Sequence, residues 1–112
     1  MRKLKTLKKN YEFKNVLSKG NFYMGQYVTI YIKKNKKNEN FIGIAVNTKL
    51  GNAVKRNRIK RLVRENYRLI KHKLKKGNDI VFLINKNIKI ENIKFYNIEN
   101  FMINIFKKAN MV

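Results

Sequence analysis

Hydrophobic positions recur at two different periods along the 112-residue chain. Phe13, Val16 and Leu17 fall at i, i+3 and i+4, the single face of a short helix over 11–18, with Asn10 as its N-cap and Gly20 as its stop. The run QYVTIYIK at 26–33 is β-branched and aromatic, which predicts a strand. Polar KKNKKNEN at 33–40 reads as a hairpin loop leading to a second strand, FIGIAVN at 41–47. There Ile42, Ile44 and Val46 alternate with Phe41, Gly43 and Ala45, and the small side chains leave one face open to close approach. Gly51-Asn52 breaks the chain and starts a long helix, about 52–74. Its inward stripe is Ile59, Leu62, Val63, Asn66, Tyr67, Ile70 and Leu74, and Gly77-Asn78 stops it. The apolar run IVFLI at 80–84 fits a buried strand, parallel to a neighbour. A last helix over 95–108 carries Phe95, Ile98, Phe101, Met102, Ile105 and Phe106 on one face. Helix, strands, helix, strand, helix describes an α+β sandwich of one sheet and helices. The length suits one domain over 1–112, with residues 1–9 as a basic N-terminal arm.

Charge changes the picture from fold to partner. Lys and Arg number 28 against 6 Asp and Glu, a net charge of +22. Such a domain repels itself unless a polyanion neutralises it, so nucleic acid is the leading partner and an anionic membrane surface the weaker one. Hydrophobic residues at 44% still support a core, which excludes a disordered tail. Cysteine is absent, so disulfides and thiolate metal sites are excluded. No apolar run is long enough to span a membrane, and Met1–Asn10 lacks the apolar region of a secretory signal. The expected compartment is the cytoplasm.

The basic residues are not evenly spread. On the long helix, Asn57, Arg61, Arg64 and Arg68 fall opposite the apolar stripe, flanked by Arg58 and Lys60. A charged helix side is ordinarily just solvated, but ordinary solvated sides mix signs through i,i+4 pairs. Here the arginines repel one another with Glu65 as the one nearby acid. Their guanidinium groups can fork onto phosphate oxygens, and the helix N-terminus over Asn52–Lys55 adds free N–H groups.

The stretch Gly51-Asn52-Ala53-Val54-Lys55-Arg56-Asn57-Arg58-Ile59-Lys60-Arg61-Leu62-Val63-Arg64-Glu65 resembles the "RNR" signature of the bacterial ribonuclease P protein family. Leu7-Lys8-Lys9-Asn10-Tyr11-Glu12-Phe13 resembles the family's opening helix, and Phe41-Ile42-Gly43-Ile44-Ala45-Val46 its strand before the motif. The resemblance covers nearly the whole chain, the last helix being generic. It implies an αβββαβα sandwich with a central four-stranded sheet, a short extra strand near Asn21–Met24, and an unusual left-handed βαβ crossover through the long helix. It further implies that Arg56, Asn57, Arg58, Lys60, Arg61, Arg64 and Arg68 contact a catalytic RNA. A cleft between the first helix and the sheet would hold the single-stranded 5′ leader of precursor tRNA. Phe13 matches an aromatic of that cleft, Leu17 stands where an aromatic is common, and Ile30 or Tyr31 supplies the sheet side. The family's Lys-Lys pair after the third strand reads Thr48-Lys49, which leaves Lys49.

Nothing in the chain looks able to cut RNA alone. Glu12, Glu39, Glu65, Asp79, Glu91 and Glu99 are scattered, whereas two-metal cleavage needs clustered carboxylates. His72, the lone histidine, sits in a basic stretch without a partner. No catalytic or metal-ligating residue is therefore assigned. The resemblance places the chemistry in the RNA, with Mg2+ held mainly there, and implies one protein copy per holoenzyme acting on precursor tRNA. The alternative is a structural RNA-binding protein such as a ribosomal protein, of similar size and charge.

Overall fold

The computed structural model describes residues 4–112; Met1, Arg2 and Lys3 of the expected basic arm lie outside the described residues. The elements run α1 (Asn10–Lys19), β1 (Asn21–Met24), β2 (Val28–Lys34), β3 (Phe41–Ala45), α2 (Ala53–Ile70), β4 (Asn78–Ile84) and α3 (Phe95–Lys108). Short 3-10 turns sit at Thr48–Leu50, Lys71–Lys73 and Ile90–Asn92. This is the αβββαβα order, including the short strand at Asn21–Met24.

The sheet order is β1-β2-β4-β3. β4 pairs antiparallel with β2 and parallel with β3, so the almost wholly apolar IVFLI run becomes the sheet's centre. The hairpin expected across residues 33–40 therefore does not form, because β4 lies between the two strands it was to join. The loop instead strides over the start of β4. Asn35 Nδ2 donates to Asp79 Oδ1 at 2.9 Å, and Asn40 Oδ1 accepts from the Asn78 N–H at 2.9 Å. Gly77 takes φ +96° beneath this loop, where a side chain would press on the Lys37 carbonyl.

α1 begins one residue earlier than expected. Lys9, not Asn10, is the N-cap, because the Glu12 carboxylate reaches back to the N–H groups of Lys8 and Lys9, both at 2.9 Å. Those two backbone hydrogen bonds hold the Glu12 carboxyl below its usual range. Just before the helix, the Leu7 N–H donates to Ile42 O and the Ile42 N–H to Lys5 O, which fastens Lys5–Leu7 along the outer edge of β3. α2 ends at Ile70 rather than near Leu74. The chain tightens into a 3-10 turn and goes extended at Leu74, which puts that side chain into the core.

Alternation sorts each strand onto two faces. Ile30, Ile42, Ile80, Phe82 and Ile84 meet Ile59, Val63 and Tyr67 of α2 and Ile98, Met102 and Phe106 of α3. Phe82 stands at the middle of this core, its ring edge-on to Tyr67 at 6.1 Å and to Phe106 at 6.4 Å. Burial pushes the Tyr67 phenol up to about 12, so it stays neutral. The opposite face is covered only in part. There α1 lays Val16 over Leu7 and Val81, with Phe13, Leu17, Tyr31 and Phe41 around them.

Candidate nucleic-acid interface

α2 starts on a firm cap. Asn52 Oδ1 accepts from the Lys55 N–H at 3.0 Å, and the Arg56 Nε–H donates to Gly51 O at 3.1 Å. Its apolar stripe faces the core, so Asn57 and Arg61 stand in solvent, with Arg64 and Arg68 half-buried beside them. Among the described residues the one ion pair is Lys55–Glu91, at 3.9 Å and well exposed. The arginines of the outward side thus have no acidic partner there. Arg58 differs from its neighbours. Its guanidinium donates to Ile90 O at 3.3 Å and Ile93 O at 2.8 Å, clamping the loop before α3 onto α2. Helical spacing places it on the flank of the ridge and the family resemblance gives it an RNA contact, whereas only the fold brings the two carbonyls under it.

Beside the ridge lies an open cleft of ≈ 880 Å³ between α1 and the uncovered half of the sheet. Phe13 and Leu17 form its helical wall; Met24, Ala45 and Leu83 lie across from them; Lys14, Lys60 and Lys86 stand around it. No acid lines it. Lys60 belongs both to this cleft and to α2, which joins the two surfaces. The Phe13 ring lies directly against the backbone of β3 at Gly43, where a Cβ would collide with it. Ile30 has no part in the cleft, because it is fully buried on the α2–α3 face. Tyr31, one residue on, points to the α1 side and packs against the same Leu7–Val16–Val81 cluster as Leu17. Lys49 borders the cleft rather than lining it. It stands on the turn at Thr48–Leu50, in an adjoining hollow of ≈ 390 Å³ that shares Asn47 and Lys86 with the cleft.

Met24, Leu83, Asn85 and Lys86 were not singled out from the sequence. Leu83 could have been found from strand alternation. Asn85 could not, since its role is tertiary. Its Nδ2 donates to Gly25 O at 2.7 Å while its Oδ1 accepts from the Thr29 hydroxyl at 2.7 Å, and this braces the turn that carries Met24 and Gln26. Among the described residues no three His, Cys, Asp or Glu side chains stand close enough to hold a metal ion.

The arrangement can do one thing well chemically. An apolar and aromatic trough with cationic rims accepts bases while neutralising phosphates. Gly43→Ala should push the Phe13 ring off the sheet and narrow the trough. The expected outcome is a modest stability loss, ~1–3 kcal/mol, accompanied by weaker binding of single-stranded RNA. Thermal melts with RNA titrations check it.

A family model described as Ribonuclease P matches residues 1–110. The ribonuclease P protein component of Clostridium botulinum (strain Langeland) is 40% identical over 106 residues, covering 94% of each chain. The ribonuclease P protein of Staphylococcus aureus superposes with a TM-score of 0.83 at 31% identity, covering 97% of this chain and 98% of that one. That of Thermotoga maritima gives 0.82 at 29% identity, covering 93% and 96%.

Proposed function

The chain belongs to the ribonuclease P protein family, and from that premise we propose that α2 docks the catalytic RNA while the cleft beneath α1 receives the 5′ leader of precursor tRNA. As the protein subunit of this ribonucleoprotein endoribonuclease it serves tRNA 5′-leader removal, and the RNA carries the catalysis. Family membership sets aside the ribosomal-protein alternative.

On the RNA side the contacts are Arg56, Asn57, Lys60, Arg61, Arg64 and Arg68. Arg58 contributes chiefly by fixing the loop at Ile90–Ile93, since two of its donors are already engaged. On the leader side Phe13 and Leu17 accept bases, Tyr31 supports them, and Lys14, Lys60 and Lys86 meet phosphates. Lys49 acts from the adjoining hollow. The observation that carries this reading is the shared helix: Lys60 lines the cleft and belongs to the same α2 as the unneutralised arginines. One rigid element thereby holds the substrate strand at a fixed distance from the ribozyme surface. The Mg2+ that the reaction uses is assigned in this proposal mainly to the RNA, whose phosphates are hard oxygen ligands. One protein copy per holoenzyme, a single domain over 1–112 and a cytoplasmic location complete the proposal. No described helix is long and apolar enough to cross a membrane.

Phe13→Ala tests the cleft. In holoenzyme reconstituted with its catalytic RNA, precursor tRNA should bind more weakly by ~1–3 kcal/mol, with mature tRNA unaffected. Equal losses for both, measured by equilibrium binding at one salt concentration, would return Phe13 to a purely packing role.

A further inference from the structure

We infer that the free edge of the sheet around Phe22 is a second stacking platform for single-stranded RNA, taking leader nucleotides that lie beyond the cleft. The inference rests on the cleft being the leader site and extends it. β1 is an edge strand, and its four residues are Asn21, Phe22, Tyr23 and Met24. Exposed edges are usually guarded by charge, yet this one carries none. Phe22 is 59% and Met24 73% exposed. Both point to the face that holds the cleft, as their cross-strand partners Tyr31 and Thr29 do. Phe22 and Tyr31 form a tilted ring pair, centroids 5.9 Å apart at 36°. Tyr31 in turn packs in the cluster that includes Leu17, a wall of the cleft.

An apolar strip thus leaves the cleft at Met24 and reaches Phe22 two residues along the strand, ~6.8 Å further. Beyond Asn21 it ends against a hollow of ≈ 580 Å³ that includes Lys19, Lys33, Lys34, Lys75 and Lys76 and no acid. That hollow wraps round the end of the sheet, because Tyr23 and Ile32, which line it, face α2 and α3; an apolar, aromatic strip that runs toward such a cationic end fits a polyanion carrying flat bases. It does not fit a second copy of this chain, because each copy carries +22. The direction of travel follows from α2. If the catalytic RNA sits there, nucleotides near the scissile bond lie beside Lys60, and those further toward the 5′ end lie toward Met24 and Phe22.

The test uses reconstituted holoenzyme and precursors whose leaders grow one nucleotide at a time. Phe22→Ala should leave affinity unchanged while the leader ends inside the cleft. Once the leader extends past it, affinity should fall roughly 5- to 150-fold. Phe22→Trp should retain the affinity, and abasic nucleotides at the distal positions should reproduce the alanine loss in the wild-type holoenzyme. A Phe22→Ala holoenzyme that matches wild type at every leader length overturns the inference, as does a loss independent of length. If Phe13→Ala weakens binding of short leaders while Phe22→Ala does nothing, the platform fails and the cleft stands. If Phe13→Ala changes nothing for any leader, the cleft reading itself has failed. A concentration-dependent dimer that Phe22→Ala dissolves would assign the edge to protein contact and also overturn the inference.

Discussion

Replacing Arg61 and Arg64 together by alanine should weaken assembly with the catalytic RNA on the order of 100-fold at physiological salt, without unfolding the protein. Hydrogen bonds to charged groups contribute ~1.5–3 kcal/mol each, and the lower part of that range applies where solvent screens them. Arg61 is exposed, Arg64 is half-buried, and neither makes an ion pair among the described residues, so only the packing of the Arg64 stem is lost from the fold. Removing them also relieves like-charge repulsion along the helix, which offsets that lost packing, and the melting temperature should stay close to that of the parent protein. The salt dependence discriminates further. Each lost phosphate contact should reduce the slope of log K against log salt by about 1. Filter binding across a salt series measures both quantities. An unchanged dissociation constant at physiological salt would remove α2 from the interface.

Phe82→Ala should produce the largest loss of stability, about 3–5 kcal/mol. Phe82 has no exposure and is flanked edge-on by Tyr67 and Phe106, so it joins α2, the central strand and α3. Truncation leaves a cavity at that junction. A domain of this size has roughly 5–15 kcal/mol in total, so at the low end of that range the loss brings the variant near its unfolding midpoint. Because catalytic RNA binds the folded state, adding it at a hundred times its dissociation constant should restore about 2.7 kcal/mol. Denaturant unfolding with and without RNA would read both effects. A loss under 1 kcal/mol would mean that the core repacks freely, and that Phe82 does not set the position of α2.

Much of this was legible in the sequence where periodicity and local signals agree. The last helix starts at Phe95 and ends at Lys108, both as its apolar spacing requires. The apolar run at 80–84 did become a buried strand parallel to a neighbour. Misreadings arose where a tertiary partner decides. Residues 33–40 have the composition of a hairpin loop, and only the insertion of β4 between β2 and β3 turns them into a crossing. Asn10 is a good N-cap by type, but Glu12 captures the N–H groups one residue earlier. β1 is too short and irregular in pattern to be recognised unaided, and the family resemblance supplied it. In the site, the outward arginines follow from the helix period. Arg58 looks the same in sequence, yet the carbonyls it holds lie 32 and 35 residues away. Ile30 and Tyr31 were separable only by register, since a shift of one residue exchanges the faces.

The position of β4 also governs when this sheet can exist. As the ribosome makes the chain, β2 and β3 emerge long before the strand that must lie between them, and neither can complete its ladder until Ile84 has been synthesised. Nascent protein thus passes through a stage with open strand edges, the condition under which chains tangle. Lys33 and Lys34 at the end of β2 and Lys36 and Lys37 in the loop after it put like charge on that open edge, and like charge opposes association of such intermediates. Part of the positive charge that later grips RNA would on this account first serve as a safeguard during biosynthesis.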